Sequence, residues 1–260
     1  MIIKAIILGI IEGLTEFLPI SSTGHLILAN KYLDFTGSFA DAFAIIIQVG
    51  AIFSVILYFK DKVFPKFDDK RRMIEYISLW TKVAVGVIPA GILGVLFDDY
   101  IEEHFFNPTI VAIALIFGAI LLLLGESRLK RAKVETEEDI TYKQAFLVGL
   151  AQCMALCPGM SRSASTIIGG LFIGFSRKVA AEFSFFLAIP TLIGAAAYKI
   201  FKMGLDFSLY QWYILGIGTF VSFVVAYLVI AFFMNYIRRR KLSPFAYYRI
   251  ILGLIVLLLV

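Results

Sequence analysis

The chain has 260 residues, of which 60% are hydrophobic and only 17% are charged, and its mean hydropathy is +0.90. Soluble proteins average roughly 45–50% apolar and about 25% charged residues. This composition excludes a soluble enzyme and predicts an all-α polytopic membrane protein. The net charge of +5 does not indicate a nucleic-acid partner, because the basic residues occupy short connectors between apolar runs, as in 238–241.

Two kinds of apolar segment follow one another along the chain. Regions 2–34 and 143–176 run into a proline-containing, serine-rich turn and resume for only about ten residues, roughly 15 Å of helix. We predict both as re-entrant hairpins, whose turns are tolerated at membrane depth only when buried in protein or lining a wet cavity. Six further stretches approach the length of a membrane span: 39–59, 80–97, 108–125, 179–200, 210–236 and 244–260.

The charged residues of the connectors predict the orientation of the spans. The stretch 60–82 contains seven Lys or Arg residues and 126–143 contains five, whereas 98–104 contains four acidic residues and no Lys or Arg. Because basic connectors stay on the cytoplasmic side, we expect the acidic loop and both ends of the chain on the outer side. A hairpin that crossed the membrane fully would give the same sidedness, so the charge pattern does not test re-entry.

The two halves of the chain resemble each other when the sequence is shifted by 140 residues. The shift aligns Gly9 with Gly149, Glu12 with Gln152, Ser21 with Ser161, Phe43 with Phe183 and Tyr58 with Tyr198. Each half would hold one hairpin and three spans, which inverts the second half relative to the first and places sites near the midplane. The predicted units are a first repeat (1–125), a cytoplasmic connector (126–142) and a second repeat (143–260). Chance similarity between apolar segments is the alternative.

The first hairpin contains a polar segment from Glu12 to His25 between apolar flanks. Glu12 and Glu16 lie at i and i+4 and share one helix face. Two buried carboxylates repel each other unless a cation lies between them, and oxygen ligands suit Mg²⁺ or Ca²⁺. We therefore predict a divalent cation at this pair. Carboxylates that line a wet crevice without a metal are the alternative.

Hydroxyl residues follow the proline of this first turn. Ser21, Ser22 and Thr23 are expected to cap a short helix whose free backbone N–H groups attract an anion. His25 lies three residues after Ser22, so both side chains share a helix face and the imidazole is near enough to exchange a proton with the hydroxyl or with a substrate. The predicted catalytic residues are Ser22, His25 and Glu16.

The second turn, 158–166, again places hydroxyl residues at the start of a short helix and adds an arginine. Arg162 needs an anionic partner at membrane depth, and its planar fork suits phosphate oxygens, although pairing with Glu12 or Glu16 is the alternative. The residues predicted to bind a diphosphate are Arg162, Ser161, Ser163, Thr166, Ser21 and Thr23. An inverted repeat would bring both turns together, and this combination of groups indicates phosphoryl chemistry on a lipid.

The segment from Glu12 to His25 and the turn Pro158-Gly159-Met160-Ser161-Arg162-Ser163 closely resemble the bacterial undecaprenyl-diphosphate phosphatase (bacitracin-resistance protein) family. The first segment matches the family pattern E-G-x-T-E-F-x-P-x-S-S-T-G-H throughout, and the resemblance covers essentially the whole chain. Near the second turn, Ala164 stands where the family commonly has glycine.

This resemblance implies hydrolysis of undecaprenyl diphosphate to the monophosphate carrier of cell-wall synthesis. It also implies an inverted-repeat fold, dependence on a divalent cation, and a site that opens to the outer face of the bacterial inner membrane. The partners expected are the lipid substrate and membrane lipids. Whether the chain forms a homodimer is left open.

A secondary transporter or lipid-carrier flippase built on the same repeat is the alternative function, since it too would hold an anion at the ends of half-helices. Such a transporter needs Arg162 and a counter-ion, but it does not need Ser22 and His25 on one face. For a phosphatase, three attacking groups are weighed: Ser22 with His25 as its base, which we favour, His25 itself, or a metal-bound water.

Overall fold

The computed structural model describes residues 1–64, 69–129, 131–204 and 206–259. In these ranges the regular secondary structure is helical, and the one β-type bridge joins Val134 to Phe175. The helices are α1 (Ile2–Thr15), α2 (Ser22–Leu33), α3 (Ser38–Tyr58), α4 (Lys60–Val63), α5 (Lys70–Phe105), α6 (Pro108–Arg128), α7 (Tyr142–Gln152), α8 (Arg162–Phe172), α9 (Arg177–Met203), α10 (Leu209–Ile237) and α11 (Ser243–Leu259). A short 3₁₀ helix, Cys153–Leu156, follows α7.

Within the described residues, five helices are long and apolar enough to cross a membrane: α3, α5, α6, α9 and α10. They coincide with five of the predicted spans, and the prediction of an all-α, multi-pass membrane protein is confirmed. The sixth predicted span, 244–260, corresponds to α11, an apolar helix of 17 residues. At 1.5 Å per residue it is about 25 Å long, slightly less than a hydrocarbon core; its predicted last residue lies outside the described ranges.

Capping side chains mark where several of these helices begin. Asn107 accepts from the backbone N–H of Ile110 at 2.9 Å and precedes the proline that opens α6. Thr141 and Gln144 form a reciprocal capping box at α7, and Ser208 forms one at α10. Because these side chains satisfy N–H groups that lack a partner within the helix, the sequence determines these helix starts locally.

The two predicted hairpin regions each fold as a pair of short helices joined by a turn. Helices α1 and α2 have 14 and 12 residues, whereas α7 and α8 have 11 each. Every one of them is shorter than the roughly 20 residues that a span requires. The second helix of each pair follows a serine with φ of 70°, Ser21 or Ser161. This backbone conformation is uncommon for a residue other than glycine.

Contacts between helix ends show which ends of the long helices lie together. Glu126 near the end of α6 accepts from the Arg177 side chain at the start of α9, with 2.8 Å to Nε, and from the backbone N–H of Leu242 just before α11. Lys62 after α3 pairs with Glu182 near the start of α9 at 3.5 Å. The ends of α3 and α6 therefore lie beside the starts of α9 and α11.

The ends of each short helix pair return to the same end of the fold. Lys4 in α1 donates to the backbone carbonyl of Asp34, the residue after α2, at 2.9 Å. In the second pair, the connector before α7 meets the chain after α8, because the backbone N–H of Ser176 donates to the Val134 carbonyl at 2.9 Å. Lys31 of α2 also donates to the carbonyl of Leu259 at the end of α11.

Glycine residues allow the short helices to pack closely on long ones. A Cβ atom at Gly9 or at Gly13 of α1 would lie 2.7 Å from a carbonyl oxygen of α10. In α7, a Cβ at Gly149 would overlap the carbonyl of Gly86 in α5. Small residues at such contacts let backbones approach each other within a membrane. Helix α1 is thereby held against α10, and α7 against α5.

Buried aromatic rings pack around the first turn and α9. Phe17 contacts Phe185 edge to face, with ring centroids 5.4 Å apart, and Phe185 in turn contacts Phe233 of α10 at 6.1 Å. All three rings are fully buried. Since such rings bury a large area and have defined packing geometry, they hold the first turn against α9 and α10.

Candidate active site

The two turns, which are about 140 residues apart in the chain, meet inside the fold. Ser163 at the start of α8 donates its hydroxyl hydrogen to the carbonyl of Leu18 in the first turn, with 2.9 Å between the oxygens. Arg162 reaches Glu16, and both Nε and Nη2 lie 3.4 Å from Oε1. Residues predicted from two separate motifs therefore form one polar cluster.

Glu12 lies beside Glu16, and it is the charged residue of this cluster whose oxygens receive no hydrogen bond from a donor group among the described residues. It is fully buried, and neither carboxylate oxygen has a hydrogen-bond partner among the described residues. The carboxylate lies within electrostatic reach of both Glu16 and Arg162. An ionised carboxylate in such a place costs several kcal/mol unless a cation or hydrogen bonds compensate it. Glu12 therefore needs either a proton or a bound cation.

The carboxylates of Glu12 and Glu16 are the groups of this cluster that could hold a divalent cation. Within the described residues, no group of three or more His, Cys, Asp or Glu side chains is placed to hold a metal. A site with only Glu12 and Glu16 as carboxylate ligands suits Mg²⁺, which usually keeps several waters and binds one or two carboxylates together with substrate phosphates. Glu12 is the side chain with oxygen atoms available for this role.

Glu16 connects the first turn to both helix starts. Its Oε2 atom accepts a hydrogen bond from the Ser22 hydroxyl at 2.9 Å, while Oε1 faces Arg162. Glu16 itself is only 6% exposed. The predicted alternative for Arg162, an ion pair with a carboxylate of the first turn, is thus what the structure contains. A hydroxyl that donates to a buried carboxylate has a proton acceptor already in place.

Ser22 and His25 are not joined by a hydrogen bond, although their spacing led us to expect them to cooperate. His25 Nδ1 lies 2.7 Å from the Ser21 carbonyl, and Nε2 lies 2.6 Å from the hydroxyl of Tyr248 in α11. A carbonyl only accepts, so Nδ1 carries the hydrogen and Nε2 of a neutral ring accepts from Tyr248. The charged oxygen of Glu16 is the stronger acceptor for the Ser22 hydroxyl, which explains the difference.

Of the hydroxyl residues expected to cap the two short helices, Ser21 caps α2 and Ser161 caps α8, whereas Ser22 bonds to Glu16 instead. The Ser21 hydroxyl oxygen accepts from the Gly24 N–H at 3.4 Å, and the Ser161 hydroxyl oxygen accepts from the Ala164 N–H at 3.2 Å. Thr23 lies partly exposed in the first turn of α2. Because the first N–H groups of a helix have no partner within it, each of these helix starts presents donors and a positive dipole end that favour an anion.

The hydroxyl groups of the second turn serve mainly to hold it. Thr166 donates to Ser184 of α9, with 2.7 Å between hydroxyl oxygens, and both residues are buried. Ser163 is occupied by the first turn, and its hydroxyl lies 3.1 Å from that of Ser161. Ser161 is only partly buried. Of the three predicted diphosphate ligands with hydroxyl groups in this turn, Ser161 is the one most open to a ligand.

Arg162 is held in place from three directions. Besides Glu16, its Nη1 donates to the backbone carbonyl of Ser184 at 2.9 Å, and the guanidinium carbon lies 5.7 Å from the centre of the Phe17 ring. The side chain is only 8% exposed. This arrangement fixes the direction of the guanidinium.

The sequence interpretation missed two residues of α11. Tyr248 bonds to His25, and Arg249 is fully buried among carbonyl groups of both turns. A signal for Arg249 was present, because a lone arginine within the apolar stretch 244–260 is expensive at membrane depth and marks a functional position. No local pattern distinguishes Tyr248, whose contact depends on how α11 packs beside α2.

These helices and this cluster define a polytopic membrane protein with a largely buried polar cluster, formed by Glu12, Glu16 and Arg162, where two turns meet. The sequence profile of the family described as bacitracin resistance protein BacA matches residues 5–255. The chain belongs to this family, and the resemblance noted from its motifs is confirmed.

Full-length relatives agree with this membership. An undecaprenyl-diphosphatase 1 from Clostridioides difficile is 50% identical, over 98% of this chain and 95% of its own. An undecaprenyl-diphosphatase from Caldanaerobacter subterraneus is 48% identical over all of this chain and 96% of its own. A third, from Enterococcus faecalis, is 46% identical over 99% of this chain and 96% of its own.

Proposed function

We propose that this protein is an integral membrane phosphatase that hydrolyses undecaprenyl diphosphate to undecaprenyl phosphate and inorganic phosphate. The observation that carries the proposal is the cluster in which Glu12, Glu16 and Arg162 meet at the starts of two capped helices. The names of the full-length relatives favour a phosphatase over a transporter. Such an enzyme would recycle the lipid carrier of cell-wall synthesis.

A divalent cation, Mg²⁺ or Ca²⁺, is part of this proposal, with Glu12 and Glu16 as its protein ligands. When bound, it would compensate the buried carboxylates and the charge of the phosphoryl group being transferred. The unpartnered oxygens of Glu12 support this assignment. Arg162 and the N–H groups at the starts of α2 and α8 would bind the diphosphate oxygens. The hydroxyl groups of Ser161, Ser21 and Thr23 would lie near these oxygens.

For the chemical step, we propose that the Ser22 hydroxyl attacks phosphorus while Glu16 accepts its proton. The contact between these two groups, 2.9 Å, supports this assignment. The new bond joins the serine oxygen to the terminal phosphorus, and the bond to the bridging oxygen breaks, so undecaprenyl phosphate leaves. A water molecule would then attack the phosphorus of the phosphoserine and give a proton to His25 Nε2, once Tyr248 has released that nitrogen. The bond from phosphorus to the Ser22 oxygen breaks, inorganic phosphate leaves, and the serine oxygen takes back a proton from Glu16. Direct attack by His25 is the competing assignment.

The proposed architecture is an inverted repeat of residues 1–125 and 143–260, each with a re-entrant hairpin. The packing supports it, because α1 lies on α10 as α7 lies on α5, and α2 lies on α11 as α8 lies on α6. Helices α3 and α9 pack on each other. The shared φ of Ser21 and Ser161 and the joined ends of each hairpin also support it.

The proposed location is the bacterial inner membrane, with lipids covering the exposed apolar side chains and the site opening to the periplasmic face. Support comes from charge. Asp98 and Glu102 of α5 lie at the end of the fold where α9 ends, and they pair there with Lys199 at 3.0 and 2.6 Å. Arg128 at the end of α6 and Arg177 at the start of α9 lie at the opposite end, which the positive-inside rule assigns to the cytoplasm.

Phosphate release from undecaprenyl diphosphate in proteoliposomes tests the proposed function. Purified protein should release inorganic phosphate, whereas Glu16→Gln should not, and Glu75→Gln, which changes an exposed acid paired with Arg71, should behave like the unchanged protein. Movement of the lipid between leaflets without phosphate release would instead support the flippase and overturn the phosphatase.

A further inference from the structure

Arg249 is the largest of the fully buried side chains in the described part of the chain, and its exposed fraction is 0%. No carboxylate is among its hydrogen-bond partners; all of them are backbone carbonyls. They are Leu115 at 3.1 Å, Ala114 at 3.4 Å, Pro19 at 3.4 Å, Gly159 at 3.2 Å and Met160 at 2.9 Å. A buried cation without such partners would be strongly unfavourable.

These carbonyls come from three parts of the chain that are distant in sequence. Two belong to α6, one to the first turn, and two to the second turn. The guanidinium is therefore a direct link between the turns that carry Glu16 and Arg162. No other side chain in the described residues donates hydrogen bonds to carbonyl groups of both turns.

The fold makes room for this guanidinium at one glycine. A Cβ atom at Gly118 of α6 would overlap Nη2 of Arg249. By contrast, a Cβ at Gly125 on the same helix would make only ordinary contacts, the nearest being 3.4 Å from Leu171. The absence of a side chain at Gly118 thus leaves space for the Arg249 guanidinium. Gly125, on the same helix, provides a control position for a glycine-to-alanine substitution.

The hydrogen bonds of Arg249 also set the direction of the backbone at the start of α8. Because a peptide unit is planar and trans, its N–H points away from its carbonyl. The Met160 carbonyl points to Arg249 at 2.9 Å, so the N–H of Ser161 points away from the guanidinium. The hydrogen bond from Arg249 to the Met160 carbonyl therefore orients the N–H of Ser161. This N–H lies at the start of α8, which we assign to anion binding.

We propose that Arg249 is a positioning residue of the phosphatase site, which holds the two turns in the relative placement that lets their side chains act on one diphosphate. It touches none of the groups that would react, and it acts through the carbonyls of Pro19, Gly159 and Met160. The predicted effect on kcat rests on the proposed function. The predicted role of Arg249 in holding the two turns together does not.

Arg249→Lys is the direct test, because lysine keeps the charge but loses the planar fork that reaches several carbonyls at once. Its kcat should fall at least ~10-fold with KM changed by less than about threefold, since a small misplacement of reacting groups costs rate. The matched control is Arg177→Lys, which alters an arginine paired with Glu126 at a helix end and should retain kcat.

A second variant separates position from charge in case Arg249→Lys folds poorly. Gly118→Ala leaves Arg249 in the chain but displaces its guanidinium, and it should lower kcat by a similar factor, whereas Gly125→Ala should not. Hydrogen exchange provides a readout that does not require turnover. Peptides covering 16–22 and 157–164 should exchange faster in Arg249→Lys and Gly118→Ala, and at the unchanged rate in both controls.

The outcomes separate the inference from the function on which it rests. Faster exchange at the turns together with lowered kcat in both test variants supports the positioning role. Unchanged exchange and kcat in both test variants, or equal losses in tests and controls, would overturn it. If the unchanged protein releases no phosphate at all, the proposed function fails, and exchange alone still decides whether Arg249 holds the turns together.

Discussion

The two turns have a similar backbone conformation but carry different side chains. In both, a serine with φ of 70° caps a short helix, and a glycine of the preceding helix contacts a long helix of the other half. At the equivalent buried positions, however, the first half has Glu12 and the second has Gln152. Gln152 donates to Thr191 at 3.4 Å, whereas Glu12 has no partner among the described residues.

On the proposed inverted repeat, this difference would give two similar backbones one asymmetric site. The first turn supplies the carboxylates and the histidine, and the second supplies the arginine at the position equivalent to Ser22. Opposite charges then meet where the halves come together. The following substitutions test this division of roles, beginning with the largest expected effect.

Glu16→Gln should have the largest effect, because it removes the acceptor of Ser22, the partner of Arg162 and a proposed cation ligand together. We expect turnover to fall by about 10³-fold or more, and EDTA to abolish the turnover of the unchanged protein. Phosphate release measured over a range of Mg²⁺ and Ca²⁺ concentrations checks both expectations. Full activity in EDTA would contradict the proposed divalent cation.

Ser22→Ala and His25→Ala should come next, each lowering turnover by about 10²–10³-fold, since each removes a group proposed to act in one of two chemical steps. The control is Ser54→Ala, which removes a buried hydroxyl that donates to the Ala51 carbonyl of its own helix, α3, at 2.6 Å. Mass spectrometry of the stopped reaction should detect phosphoserine at Ser22 when His25 is replaced. If Ser22→Ala stays active while His25→Ala is inactive, the attack belongs to His25.

Arg162→Lys should have a smaller effect, because lysine retains the charge but cannot bind two oxygens as a fork. A loss of at least ~10-fold in turnover is expected, as one charged hydrogen bond is worth about 1.5–3 kcal/mol. Steady-state kinetics and a melting curve of the same sample check it. Normal kinetics in a folded variant would restrict Arg162 to its ion pair with Glu16.

The smallest effect on activity is expected from two labelling variants that test sidedness. In a background without Cys153 and Cys157, Glu103→Cys should react with a membrane-impermeant thiol reagent in intact cells, and Arg71→Cys should not. Both side chains are exposed, at 79% and 82%, so accessibility within the protein does not separate them. The reverse labelling pattern would place the opening of the first hairpin on the cytoplasmic side.

Much of the fold could be predicted because its signals are local. Apolar runs predicted the spans, and residues such as Asn107 and Thr141 mark helix starts through short-range hydrogen bonds. The motifs also predicted which turns carry the polar residues. In a membrane, composition alone restricts a chain to few architectures, because each backbone polar group must be satisfied internally.

The remaining features depend on contacts between distant segments, which spacing does not encode. The partner of the Ser22 hydroxyl is Glu16 across the turn, where helical spacing had favoured His25. The hydrogen bonds of Arg249 require α6, α11 and both turns to be in place at once. Tertiary packing thus determines the acceptor of the Ser22 hydroxyl, which local spacing had assigned to His25.

The central claim is that the two turns work as one phosphatase site, and a double-mutant cycle tests it most directly. Turnover of undecaprenyl diphosphate should be measured for Glu16→Gln, Arg162→Lys and the double variant. Residues that act on the same step show losses that do not add. We predict that the double variant loses little more than Glu16→Gln alone. Losses that multiply in full would show two independent contributions and contradict a single shared site.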